Sequence, residues 1–306
     1  MALPIEGKSK NTATLIGLIA ILLWSSLVGL IRGVTESLGP TGGAAMIYTV
    51  AAALLFFTIG FTKPGEFPRR YLFWGSILFV SYEVFFALAI AYSHNGQQAI
   101  EIGMVNYLWP TFTVVAAILF NHQKSNILII PGFIMSLFGI GLVLGGEQGL
   151  DPSVMAGNVK DNPLSYALAF SGALIWAAYC IVTARSADGK NGITLFFILT
   201  ALALWAQYFA TGGEAMTFSP HALIMLVCTA AAMGFGYAAW NVGILRGNVT
   251  ILAGASYFTP VFSALLASAI LQTPLALSFW QGAAMVCAGS IVCWLATRTK
   301  RPASLS

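Results

Sequence analysis

Asn106-Tyr107-Leu108-Trp109-Pro110-Thr111-Phe112 lies within one long apolar run, and Ser256-Tyr257-Phe258-Thr259-Pro260-Val261-Phe262 lies within another 150 residues later. Aligned at that offset, Tyr107, Pro110 and Phe112 fall on Tyr257, Pro260 and Phe262 without a gap. Further along, Gly132, Met135 and Gly139 fall on Gly282, Met285 and Gly289. Leu and Ala recur by chance in any apolar run, whereas proline and glycine punctuate the chain, so shared punctuation marks an internal repeat. Membrane-length segments interrupted at corresponding places in two halves point to a transporter built from repeats.

Composition sets the class. The chain is 58% hydrophobic and 8% charged over 306 residues, against roughly 25% charged in an average soluble domain. So much apolar surface would not fit inside a soluble core of this size, and lipid is the expected solvent. Ten spans follow, each near the ~20 residues that a bilayer core requires. They are Leu15–Ile31, Gly43–Phe61, Tyr71–Tyr92, Gln98–Phe120, Ile127–Gly145, Leu164–Ala184, Ile193–Thr211, His221–Asn241, Val249–Gln272 and Leu277–Thr297. Gly39-Pro40, Lys63-Pro64, Asp161-Asn162-Pro163, Ser219-Pro220 and Thr273-Pro274 mark breaks between them. Nothing alternates with the two-residue period of a membrane β-barrel.

Placing the N-terminus inside the cell puts all but Arg32 and Lys160 of the 14 Lys and Arg on the cytoplasmic side, as the positive-inside tendency requires. An even number of spans returns the C-terminus to the cytoplasm. Five spans per half is odd, so the second half is inserted upside down relative to the first, with a site expected near the midplane between them. The expected fold is an all-α integral membrane protein of ten transmembrane helices, two inverted five-helix repeats around a central cavity. The repeats take residues 1–146 and 164–306, the second ending in a basic cytoplasmic tail, and residues 147–163 connect them outside the membrane. The short basic segment before the first span, with no small-residue cleavage site after it, reads as an uncleaved signal anchor. Cys180, Cys228, Cys287 and Cys293 all fall in spans and read as small apolar residues.

Ionisable groups at membrane depth cost roughly 2.5 kcal/mol or more, so each needs a reason. Glu83 sits midway along the third span, where it would bind a substrate ammonium, couple transport to a proton, or tie helices together. Glu101, nearer the outer end of the fourth, reads as structural. Pro110 and Pro260 each deprive the carbonyl four residues earlier, of Asn106 and of Ser256, of its helical partner. Those carbonyls become polar contacts for a ligand, and the two prolines become hinges, or the kinks are merely shape. Trp24, Tyr82, Tyr107, Trp109, Trp176, Tyr179, Trp240 and Tyr257 lie inside spans rather than in the interfacial belts that Trp and Tyr prefer. Deep rings suggest a ligand-lined cavity, although each taken alone is better explained by packing. Gly132, Gly139 and Gly141, with Gly282 and Gly289, put small residues on one helix face for a dimer or an internal seam.

Several chemistries drop out. There is no His-Glu-x-x-His, no P-loop and no Cys or His pair at metal-ligand spacing. His94, His122 and His221 sit near loop ends, where solvation is the default. No nucleophile with a nearby base can be assembled, so no enzyme, metal or cofactor is expected. No basic stretch with interleaved aromatics suggests nucleic acid.

With two five-span halves, Trp24 and Trp176 in the first helix of each, Pro110 with Pro260, and Gly132/Gly139 with Gly282/Gly289, the chain resembles the EamA-type drug/metabolite transporter superfamily from about Thr14 to Thr297. Asn106-Tyr107-Leu108-Trp109-Pro110 is similar to its bacterial amino acid exporters. The resemblance implies a basket of ten helices in the cytoplasmic (inner) membrane, opening alternately to either side, and aromatic and other largely uncharged amino acids as cargo. The residues fit, because every Lys and Arg lies at a span end or in a loop, leaving no cation in the cavity for a phosphorylated substrate. Tyr82, Glu83, Asn106, Tyr107, Trp109, Trp176, Ser256 and Tyr257 are the expected substrate-binding residues, with Pro110 and Pro260 as hinges. The expected partners are the amino acid and the bilayer, and the expected state is a monomer, with a dimer the alternative. A proton-coupled exporter of lipophilic cations, needing Glu83, is the rival within transport. A binding or receptor protein that moves nothing is the rival outside it.

Overall fold

The computed structural model describes residues 4–188, 190 and 192–297. Arg298, Lys300 and Arg301, part of the orientation argument, and the basic tail lie outside the described residues. Among the described residues all regular structure is helical. In the first half, α1 is Pro4–Ser25, α2 Leu27–Leu38, α3 Pro40–Thr58, α4 Ser76–Ala91, α5 Gly96–Asn106, α6 Trp109–Asn121 and α7 Ile129–Leu144. Then come α8 Pro152–Asp161, α9 Pro163–Ser186, α10 Ile193–Ala210, α11 Pro220–Arg246, α12 Val249–Ser256, α13 Thr259–Ile270 and α14 Leu277–Ala296.

The polar and proline breaks become helix caps. Asn162 accepts from the Ser165 N–H and Ser219 from the Ala222 N–H, each with proline at the first helical turn, where its missing N–H costs nothing. Gly39, at φ +74°, turns the chain between α2 and α3. Among the described residues seven helices are long and apolar enough to cross a bilayer, and an eighth span results if α1 and α2 count as one. The apolar helices α7 and α13 are shorter. Apolar side chains point outward as lipid requires; Phe57 is 84% exposed.

Three expectations change. The first span is not one straight helix ending at Ile31: α1 and α2 meet at a 42° bend and continue to Leu38. Ser25 and Ser26 cause it locally, their hydroxyls donating back to the carbonyls of Ile21 and Leu23, both at 2.7 Å. The prolines of the fourth and ninth spans follow two-residue interruptions of the helix, although Gly96–Asn121 still counts as one membrane-length span. Helix stops at Asn106 and Ser256, restarts at Trp109 and Thr259, and carries Pro110 or Pro260 in the new first turn. The Ser256 carbonyl is not free, because the Thr259 hydroxyl donates to it at 2.6 Å. The connector holds its own short helix, α8.

The most extensive packing joins α7 to α14, α1 to α11, α3 to α10 and α4 to α9. Apolar burial does not hold helices together in lipid, so close approach and hydrogen bonds must. The glycines supply the approach between α7 and α14. A Cβ on Gly139 would lie 2.6 Å from the Gly282 carbonyl oxygen and 2.8 Å from the Val286 nitrogen. Thr111 of α6 adds buried hydroxyl contacts to Ser136 of α7 at 2.9 Å and Ser290 of α14 at 3.0 Å.

Candidate functional site

The two helix breaks face a central cavity of about 250 Å³, whose other walls come from α1, α2, α4, α9 and α11. Tyr82, Glu83, Asn106, Tyr107, Trp109, Trp176 and Ser256 line it. Tyr257 is not among the lining residues; its ring lies 5.9 Å from that of Trp294. The i to i+1 step around the break turns Ser256 inward and its neighbour away. Pro110 and Pro260 are buried in the first turns of α6 and α13, beside the cavity rather than on its wall.

Glu83 is 3% exposed and anchored rather than loose. Tyr48 donates to its Oε2 at 2.5 Å and Tyr237 to its Oε1 at 2.8 Å. Tyr48 is on α3 and Tyr237 on α11, so one carboxylate joins three helices while still facing the cavity. Both tyrosine bonds together use about half of its four lone-pair sites. Asn106 is likewise held: its Nδ2 donates to the Ala169 carbonyl at 3.2 Å and its Oδ1 accepts from Tyr82 at 3.4 Å.

The rings form two groups. Trp176 lies 4.5 Å from Tyr82, 5.0 Å from Tyr179 and 6.2 Å, edge on, from Trp109. In the second, Trp24 lies 5.0 Å from Tyr237 and 5.3 Å from Trp240, and Phe79 touches both groups, 6.1 Å from Trp176 and from Tyr237. Trp24, Tyr237 and Trp240 line the cavity and were not among the expected site residues. A signal existed, since Trp24 and Trp176 both lie in the first helix of a half and Tyr237 precedes Trp240 by about one turn. Leu27, Phe86, Met233, Cys180 and Thr259 complete the wall, which among the described residues contains no Lys, Arg or His.

Glu101 lies outside this cavity, accepting from Gln97 and from Tyr166 of α9, each at 2.9 Å. His94 is bonded rather than merely solvated: its Nδ1 lies 3.0 Å from Asp161 Oδ2, which also accepts from Gln98 at 3.0 Å. Among the described residues no group of three His, Cys, Asp or Glu side chains could hold a metal ion.

A ring-lined cavity at the meeting of broken helices, inside a bundle of membrane-length segments, is the build of a small-molecule carrier. The chain belongs to the EamA-like transporter family, whose sequence profile matches residues 163–295. It is 59% identical to the aromatic amino acid exporter YddG of Salmonella typhimurium over 95% of this chain and the whole of that one. It is 57% identical to the Escherichia coli exporter of the same name over 95% of this chain and 99% of that one. The namesake from Ancylobacter novellus is 27% identical over 84% of this chain and 88% of its own. A protein of known crystal structure, 24% identical, shares the fold with a TM-score of 0.66 over 94% of this chain and 99% of that one. The chain is therefore a multi-pass membrane transporter rather than an enzyme.

Proposed function

We propose that this protein exports aromatic and other largely uncharged amino acids across the bacterial cytoplasmic membrane by alternating access. The observation that carries the reading is the chemistry of the cavity wall: two aromatic groups, few polar groups, one carboxylate and no cation. A ring-bearing zwitterion needs apolar walls with an anchor at one end. The rings of Tyr82, Trp109 and Trp176 would take the side chain, and those of Trp24 and Trp240 the opposite face. Glu83 would meet the ammonium, and Asn106, Tyr107 and Ser256 would contact the remaining polar atoms. Near-identity of name and length among the relatives supports the same cargo.

The proposed architecture is ten spans in two inverted repeats, with both termini cytoplasmic. Each of α1–α2, α5–α6 and α12–α13 would be one broken span. Helix packing supports the repeats. An inversion axis that exchanges the halves would turn the α1–α11 pair into α9–α4, and would carry α3–α10 and α7–α14 onto themselves. These are the four most extensive pairings. The glycine faces are used inside the chain, between α7 and α14, which supports a monomer. Pro110 and Pro260, at the two breaks, would be the hinges.

The test is efflux of a labelled amino acid mixture from proteoliposomes, with and without a pH gradient. Selective loss of Phe, Trp and Tyr supports the reading. Movement of a lipophilic cation with every amino acid retained would give the cavity to the cation-exporter alternative, and no movement of either would make it a binding protein.

A further inference from the structure

A second concavity lies on the lipid side of the seam between α6 and α9, with a volume of about 450 Å³, larger than the central cavity. Its α6 wall runs from Phe112 through Ala116 to Phe120, and its α9 wall from Leu174 through Ala178 to Arg185. Among the described residues Arg185 is the one charged or polar side chain lining it. That side chain is exposed, in the last turn of α9, and has no ion-pair partner among the described residues. At the opposite end the Phe112 ring meets Phe170 edge on at 5.6 Å.

Length and charge point to one kind of occupant. From Leu174 to Arg185 the helix rises about 16 Å at ~1.5 Å per residue. One leaflet of the hydrocarbon core is about 15 Å deep, half of ~30 Å. The groove thus matches a single acyl chain in length, and its cation stands where a headgroup phosphate would be. The orientation proposed above makes this the cytoplasmic leaflet. A similar groove of about 360 Å³ between α3 and α10, lined by residues such as Ala52, Phe56, Ile198 and Trp205, has no charged residue in its wall. It can take a chain but offers nothing to a phosphate.

We propose that the α6–α9 groove binds an anionic phospholipid of the cytoplasmic leaflet, one acyl chain lying between the helices and its phosphate on Arg185. The site shares its helices with the central cavity. Trp109 and Trp176, one at the start of α6 and one on α9, line the central cavity from the same two helices. A chain wedged between them would brace this seam.

Native mass spectrometry of the purified full chain, equilibrated with equal amounts of phosphatidylglycerol and phosphatidylcholine of identical chains, tests binding without requiring transport. One surface cation contributes about fivefold in favour of the anionic lipid. The wild type should therefore retain phosphatidylglycerol about fivefold better, R185K should keep that preference, and R185Q should lose it. A178W, which fills the groove, should lower retention of both lipids. Equal retention by the wild type, or an unchanged preference in R185Q, would overturn the proposal, as would unchanged retention in a folded A178W protein. None of these outcomes bears on amino acid efflux, so the lipid site and the proposed cargo stand or fall separately.

Discussion

Replacing Glu83 with Gln keeps the side-chain shape and removes the one acid on the cavity wall. In the native site Tyr48 and Tyr237 hold the carboxylate at 2.5 and 2.8 Å, leaving lone pairs for a substrate ammonium. A hydrogen bond involving a charged group is worth about 1.5–3 kcal/mol. Its loss should raise the half-saturation concentration for phenylalanine about 10- to 150-fold. The fold should survive, because a tyrosine hydroxyl can turn to accept from the Gln amide, and the Tyr237 ring remains 5.3 Å from Phe197. The assay is counterflow of labelled phenylalanine in proteoliposomes without a pH gradient, which needs substrate binding but no net proton movement. As a companion, Tyr237→Phe keeps the acid but frees it on one side, and should raise half-saturation less than Glu83→Gln does. An unchanged half-saturation concentration in Glu83→Gln would refute the ammonium contact. Unchanged counterflow together with loss of the response of net efflux to a pH gradient would instead make Glu83 a proton site.

Trp109→Ala should lower aromatic flux about 2- to 10-fold, the worth of one aromatic pair, with the protein still monodisperse; unchanged flux at normal expression removes Trp109 from the site. Gly139→Ala should destabilise by about 1–3 kcal/mol, because the new methyl would meet backbone atoms of Gly282 and Val286 that cannot swing aside; an unchanged melting midpoint would refute the seam. Asp151, outside the spans, is held below its ordinary 3.8 by the Ser153 hydroxyl and the backbone N–H groups of Ser153 and Val154. A depressed carboxylate stabilises α8 above that ordinary value and ceases to as pH falls through the lower folded one. Hydrogen-exchange protection of residues 152–161, relative to the intrinsic rate at each pH, should therefore be high at neutral pH and fall only in acid, and Ser153→Ala should move that change to higher pH.

The wall of the site was legible where sequence and geometry share a cause. Proline within an apolar run must disturb the helix, so Asn106, Tyr107, Trp109 and Ser256 could be placed at a break before any coordinates. Which partner satisfies the freed carbonyl, such as Thr259 at Ser256, depends on local capping that spacing does not reveal. Glu83 was visible because a mid-span acid is costly, yet its partners Tyr48 and Tyr237 come from helices 35 and 154 residues away. Such long-range pairing leaves no local pattern. Trp24 and Trp240 were visible as deep rings, but only packing decides which deep rings face a cavity. Tyr257 shows the converse, because a residue one place from Ser256 points elsewhere. The bend at Ser26 has no punctuating proline or glycine to mark it, because it comes from serine hydroxyls bonding back to the helix carbonyls.

The central claim is that an aromatic-walled, cation-free cavity carries aromatic amino acids outward. Its most direct test is to load right-side-out vesicles with equal amounts of labelled Phe, Trp, Tyr, Lys and Asp and follow what leaves. The account predicts that the three aromatic amino acids leave faster than from protein-free vesicles, while Lys and Asp stay. Equal retention of all five by a folded, reconstituted protein would contradict it.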